Sequence, residues 1–240
     1  REDQARYRKL SRRAAAWCRK RQSGGVVWQV EAVYHALLAE EKGVEQAFIN
    51  LGVEWLNRFQ YATLEALIRS LLNVIQAGRL AERVSAWAWW LQARLDVIYS
   101  RNREAKAALD NALAIDFGDK ALIANCIDSM GDVHVGLSEF PQARRRYEEA
   151  LPIYRDIGNR VGEANCINAL GYVHVRLSEL PQARRRYEEA LPIYRDIGER
   201  LGEANCIQVL GDMHVSFDGP NHLKLVKLVE ALPYFCEHRA

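Results

Sequence analysis

From residue 121 to about 158 the apolar positions recur at helical spacing in two blocks separated by a short polar break. The first block predicts a helix A from about Ala121 to Leu137, with Ile127, Met130, Gly131 and His134 on one face. The second predicts a helix B that opens at Pro141, where a missing N–H costs nothing, and runs through Ala143, Tyr147 and Ala150 to a stop at Gly158. Pro152 lies inside helix B and predicts a bend there. The pattern then starts again. Residues 161–200 match 121–160 at 30 of 40 positions, and PQARRRYEEALPIYRDIG occurs at both Pro141 and Pro181. A third copy opens as LGEANCIQVLGDMHV at Leu201. Periods of this length mark stacked supersecondary units, none of which can bury its apolar face alone.

Small residues at Gly131 and Ala143 suit a close crossing of helix A with its own helix B, leaving Tyr147 and Ala150 to pack against the neighbouring unit. The set Gly131, Ala143, Tyr147, Ala150, repeated as Gly171, Ala183, Tyr187, Ala190, resembles the tetratricopeptide repeat (TPR). A unit of 40 residues rather than 34 resembles the longer-helix variety found in large signalling proteins. The resemblance implies an all-α fold, a right-handed α-α superhelix. Upstream, Ala93, Ala105, Leu109 and Ala112 keep the spacing, so 83–120 reads as a degenerate repeat. Downstream, EALP arrives one residue late, and Lys224 and Leu228 replace the small residue and the tyrosine. Residues 201–240 therefore read as a divergent repeat, either a capping helix or an array cut short. All six tryptophans lie between Trp17 and Trp90, so the first part of the chain has a differently packed core; 1–80 reads as a Trp-rich helical linker or degenerate repeats, before an array over 81–240. The words RRAAAWCRKR and EAVYHALLAEEKGVEQA resemble the helical segment that joins the ATPase of STAND proteins (signal-transduction ATPases with numerous domains) to their repeat sensors.

Composition narrows the reading. With 49% hydrophobic and 27% charged residues, the 240-residue chain has the make-up of a folded domain, and its formal charge is only +2. Basic and acidic residues interleave except around RKLSRRAAAWCRKR, which reads first as a solvated helix face and second as a contact for nucleic acid or an acidic partner. No apolar run approaches the roughly 18 residues of a membrane span, and no signal peptide opens the sequence, which begins with Arg1. A cytoplasmic location without nucleic-acid or membrane partners is expected. The five cysteines contain no CxxC pair, and Cys126, Cys166 and Cys206 stand forty apart, as packed thiols of a reducing compartment would.

Candidate chemistry is sparse. No GxxxxGK[ST], GxSxG, HExxH or dinucleotide fingerprint occurs, so neither catalysis nor a cofactor is expected. Cys126 with His134, Cys166 with His174 and Cys206 with His214 are each eight residues apart, about 12 Å along a helix, too far for common chelation of a metal. The runs Arg144–Glu149 and Arg184–Glu189 place Arg and Glu at i and i+4, as on a salt-bridged outer face.

Comparing the copies points to a partner site. In helix A they read Asp128, Asn168, Gln208, then Asp132, Tyr172, Asp212, then Gly136, Arg176, Ser216, a single stripe at i, i+4 and i+8. Three residues before it stands an unchanging Asn125, Asn165, Asn205. The TPR resemblance implies that this face lines a concave groove for a peptide or protein. There the asparagine amides would offer donor and acceptor, and the varying residues would select the partner. The alternative is a solvent-exposed stripe, with asparagines bonded inside the scaffold. The expected function is a non-catalytic protein-interaction module, the sensor region of a larger STAND-type signalling protein; the second reading is a free-standing scaffold or co-chaperone-like adaptor.

Overall fold

The computed structural model describes residues 2–21, 23, 25–115 and 118–218. Among them are eleven helices and no strand: α1 (Glu2–Arg19), α2 (Val26–Leu38), α3 (Val44–Asn57), α4 (Tyr61–Gln76), α5 (Glu82–Ile98), α6 (Asn102–Leu113), α7 (Lys120–Gly136), α8 (Phe140–Asp156), α9 (Arg160–Arg176), α10 (Leu180–Ile197) and α11 (Arg200–Asp218). The expected tail of the third repeat, with Lys224, Leu228 and Cys236, lies outside the described residues.

The chain divides into two compact units, residues 1–122 and 123–240. In the first, α1 pairs with α2, α5 with α6, and α3 and α4 pack on one another and on α5. Its centre is aromatic and leucine-rich. Phe48, Leu64, Leu67, Ile68, Leu71, Leu91 and Leu95 are fully buried, and the Trp87 and Trp90 rings meet edge to face at 5.3 Å. Gly52 lets α3 approach α5, since a Cβ there would come within 2.5 Å of the Leu91 side chain. Ala93, Ala105, Leu109 and Ala112, the small and apolar positions expected of a degenerate repeat, are all buried in the α5–α6 hairpin.

The second unit stacks hairpins: α8 packs on α9, α9 on α10, and α10 on α11. Helix α8 begins with Pro141 in its first turn and runs unbroken through Pro152; α10 does the same through Pro192, and both inner prolines are exposed. The carbonyl that each proline leaves without its helical N–H is on the water side, which makes the missing bond tolerable. Ser138 and Ser178 adopt left-handed φ of 60° and 61° between helices A and B, and the next N–H, on Glu139 and Glu179, closes the turn onto the His134 and His174 carbonyls at 2.8 Å. Helices A start on side-chain caps: Asn159 Oδ1 accepts from Gly162 N–H at 2.9 Å, and Glu199 Oε2 from Gly202 N–H at 2.5 Å.

Two packing expectations change. Tyr147 packs within its own unit as well as towards the next: a Cβ on Gly131 of its own helix A would lie 2.5 Å from its ring, and its hydroxyl donates to Asp132 at 2.7 Å. The glycine is small because the tyrosine fills the space. The outer arginines also pair differently from the expected i,i+4. Arg146 meets Glu149 and Arg186 meets Glu189 at i+3, while Arg144 reaches Glu179 and Arg155 reaches Glu189, both in the next repeat. Long guanidinium side chains thus tie successive hairpins together.

Candidate functional site: the face of helices A

What joins one helix A to the next is a tyrosine near the end of helix B. The Tyr154 ring lies on Gly162 of α9, where a Cβ would be 2.5 Å away, and its hydroxyl donates to Asn125 Oδ1 of α7 at 2.9 Å. Tyr194 does the same one repeat on, with its ring on Gly202 of α11 and its hydroxyl on Asn165 Oδ1 of α9 at 2.8 Å. Both rings are buried. Asn125 and Asn165, expected to offer both amide ends to a partner, therefore have their carbonyl ends bonded to the scaffold. Asn205 Nδ2 of α11 in turn donates to Asn168 Oδ1 of α9 at 3.2 Å. Helices A stand close enough for carboxamides to touch, whereas α8 and α10 are linked through the long Arg155–Glu189 pair.

Along that face the expected residues divide. Asp128 is half-buried, and so are Asp132, held by the Tyr147 hydroxyl, and Asn168, which also lies 3.6 Å from Cys206 Sγ. Tyr172, Arg176, Gln208 and Asp212 are exposed, as are Asn165 and Asn205, while Asn125 is half-buried. The Arg176 guanidinium sits over the Phe140 ring, 5.1 Å from its centroid. Val161 and Leu201, one helical turn before Asn165 and Asn205, are exposed apolar residues of the same stripe that the sequence reading passed over. The signal was present, since both are apolar at a position preceding the asparagine by four.

The electrostatics favour hydrogen bonding over proton exchange. Burial first, and the neighbouring Asp132 and Asp128 next, push the Tyr147 hydroxyl far above the ordinary tyrosine range, and burial does the same for Tyr187 and Tyr194. Burial pushes the Cys126 and Cys206 thiols up to about 12 and Cys166 higher still, with the Cys166 thiol 3.1 Å from the Tyr147 carbonyl. At the turn, His174 Nδ1 contacts Glu179 Oε2 at 2.6 Å and His134 Nδ1 contacts Glu139 Oε2 at 2.7 Å, so each histidine is engaged by a carboxylate. Among the described residues no group of three or more His, Cys, Asp or Glu side chains is placed to hold a metal ion.

Comparison with known proteins gives this geometry a context. The sequence pattern of the tetratricopeptide repeat matches residues 164–197. No curated protein sequence matches the chain significantly. Solved structures do: BtubC (BKLC) from P. vanneervenii aligns at 16% identity and a TM-score of 0.63, over 98% of this chain and 91% of that one. The STAND protein PH0952 from Pyrococcus horikoshii, which carries a tetratricopeptide repeat sensor, aligns at 13% identity and 0.64, over 97% of this chain and 38% of that one. The apo form of RapI aligns at 12% identity and 0.61, over 100% of this chain and 65% of that one. At these identities the likeness is one of fold. The repeat pattern, the small-residue crossings and these neighbours agree: the chain carries a tetratricopeptide repeat over residues 164–197 and has the all-α fold of such repeat arrays.

Proposed function

We propose that the A face of the second unit holds a protein or peptide segment, with Tyr172, Arg176, Gln208 and Asp212 choosing the partner and Asn125, Asp128, Asp132, Asn165, Asn168 and Asn205 shaping the floor. The observation that carries this is a contrast between near-identical repeats. Residues shared by 121–160 and 161–200 include the buried Cys, Ile, Val, Ala and Tyr positions, whereas Asp132 becomes Tyr172 and Gly136 becomes Arg176 on one stripe that faces outward in the second copy. Exposed apolar and aromatic side chains gathered on one face mark an interaction surface. Such a module works by binding, without a chemical step of its own.

The wider reading is that this unit is the sensor of a STAND-type signalling protein, supported by the likeness to PH0952, which carries a repeat sensor, and by the helical words near the start of the chain. Partner binding would then shift the packing of repeats against an ATPase elsewhere in the polypeptide. A cytoplasmic location goes with that role. The second reading, a free-standing scaffold, is favoured by the coverage of BtubC, which matches this chain over 91% of its own length.

The test for the face uses Tyr172→Arg and Gln208→Arg, exposed sites with no hydrogen bond to the scaffold among the described residues. Prey captured by the wild-type chain from its own organism should be lost by the double variant at unchanged melting temperature. Equal capture by both overturns the assignment. Reading the gene upstream of the codon for Arg1 separates the two wider readings, since a GxxxxGK[ST] strand-loop-helix is expected only of the sensor.

A further inference from the structure

The first unit carries a second surface with a different chemistry. On α1, Tyr7, Leu10, Ala14 and Trp17 follow one another at spacings of three, four and three, the a/d rhythm of a heptad seam. In a helix that already packs on α2, such a seam should be covered. Instead Tyr7 is 41% exposed, Leu10 54% and Trp17 49%. The Trp17 ring is nevertheless fixed, edge to face on Trp28 at 5.1 Å and with the Arg21 guanidinium 3.7 Å over its face. A large aromatic that is rigid and half-exposed is the form that binding anchors take.

Charge gives the seam a sign. In the same register Arg6 and Arg13 occupy successive g positions of α1, and Lys20 follows seven residues on, just past the helix end, all three exposed. They make no ion pair among the described residues, whereas Arg8 and Arg19, on other faces, are paired with Glu40 and Glu41. The opposite flank, the e positions Ser11 and Cys18, is buried in the unit. The seam is thus open on one side only and bordered there by cations.

We propose that α1 docks an amphipathic helix of a partner protein, whose apolar seam covers Tyr7, Leu10 and Trp17 and whose Glu or Asp side chains meet Arg6, Arg13 and Lys20. The exposed apolar edge is what separates this occupant from nucleic acid, which would use the cations and leave Leu10 and Trp17 in water. A second copy of the chain fits poorly. Antiparallel pairing sets g against g, placing arginine against arginine, and parallel pairing sets g against the buried e positions. From Tyr7 to Trp17 the seam is about 15 Å long, enough for roughly one and a half heptads of contact and an affinity in the micromolar range rather than below it.

The test titrates the full chain with three labelled three-heptad peptides by fluorescence anisotropy: Leu at a and d with Glu at e and g, the same with Lys for Glu, and the Glu peptide with Ser at a and d. The first should bind, with the other two weaker by about tenfold or more. Leu10→Glu and the Arg13→Glu/Lys20→Glu pair should each weaken the first peptide by about tenfold while the thermal midpoint stays put, since all three side chains are exposed. Absence of binding to the first peptide overturns the proposal. So does equal binding of the Lys or Ser peptide, or tighter binding of duplex DNA or of phosphatidylserine vesicles than of the first peptide.

Discussion

The Tyr194 hydroxyl donates to Asn165 Oδ1 at 2.8 Å while the Tyr194 ring lies on Gly202, so one side chain ties two successive helices A to the helix B between them. Removing either partner should therefore loosen the stack. Tyr194→Phe and Asn165→Ala are each expected to cost about 1 kcal/mol, the net worth of a buried hydrogen bond, with the double variant costing less than their sum. Asn165→Arg should lower the melting temperature as well as alter the A face, which makes it a poor probe of binding alone. Urea denaturation of the four chains checks this; strict additivity would show that the bond contributes nothing.

Gly162 sets two effects against each other. Alanine is favoured over glycine in a helix, by up to roughly 0.5–1 kcal/mol in the interior and less in the first turn where Gly162 stands, so Gly162→Ala should stabilise α9 if propensity decided. A Cβ at that position would come within 2.5 Å of the Tyr154 ring, which is buried and tethered by its hydroxyl to Asn125. Overpacking of this kind costs about 1–3 kcal/mol, and the clash should win. A lower thermal midpoint for Gly162→Ala, partly restored by adding Tyr154→Leu, is the expected result. A midpoint above wild type would mean that the ring moves aside freely.

These two tyrosines also show how far the sequence could be read. The period, the hairpin and the buried thiols followed from spacing, because repeats that stack must reuse the same small and apolar positions. Tyr154 and Tyr194 were hidden inside an identical eighteen-residue word, where identity points to no single residue. Their partners Gly162 and Gly202 appear only in the second and third copies, eight residues later, since Leu122 stands at that place in the first. Pairing across a repeat boundary needs that offset as well as the period. The asparagine row was legible as a position and not as a role, because an amide that serves the scaffold and one that serves a partner have the same sequence.

The turn between α9 and α10 should make the array sensitive to acid. Chiefly the hydrogen bond with His174, and also the Arg144 guanidinium of the preceding repeat, hold the Glu179 carboxyl below its ordinary value of 4.5. A carboxyl depressed in the folded state stabilises above its unfolded value, and that contribution is lost as the pH falls through the lower folded one. The thermal midpoint should therefore drop as the pH is taken below 4.5. Glu179→Gln should start lower at neutral pH and fall less steeply. Parallel curves for the two chains would remove Glu179 from the account.

The repeat thiols offer a clock for opening of the stack. Burial pushes Cys126 and Cys206 up to about 12, and Cys166 further. At pH 8 so small a thiolate fraction should slow a disulfide reagent on the order of a thousandfold relative to a free cysteine. In a chain carrying Cys18→Ser and Cys236→Ser, the three remaining thiols should stay silent until the helices separate, so their labelling rates report local opening rather than intrinsic reactivity. Cys166 should be slowest. Its thiol is 3.1 Å from the Tyr147 carbonyl in the middle of the stack, whereas Cys206 has a longer contact of 3.6 Å to Asn168. Tyr194→Phe should then speed Cys206 more than Cys126, because the bond it removes joins α10 to α9, beside Cys206 and one repeat away from Cys126. Mass-spectrometric quantification of each labelled peptide over time would read the order directly; rapid labelling of Cys166 in the native chain would mean that the hairpins part without unfolding.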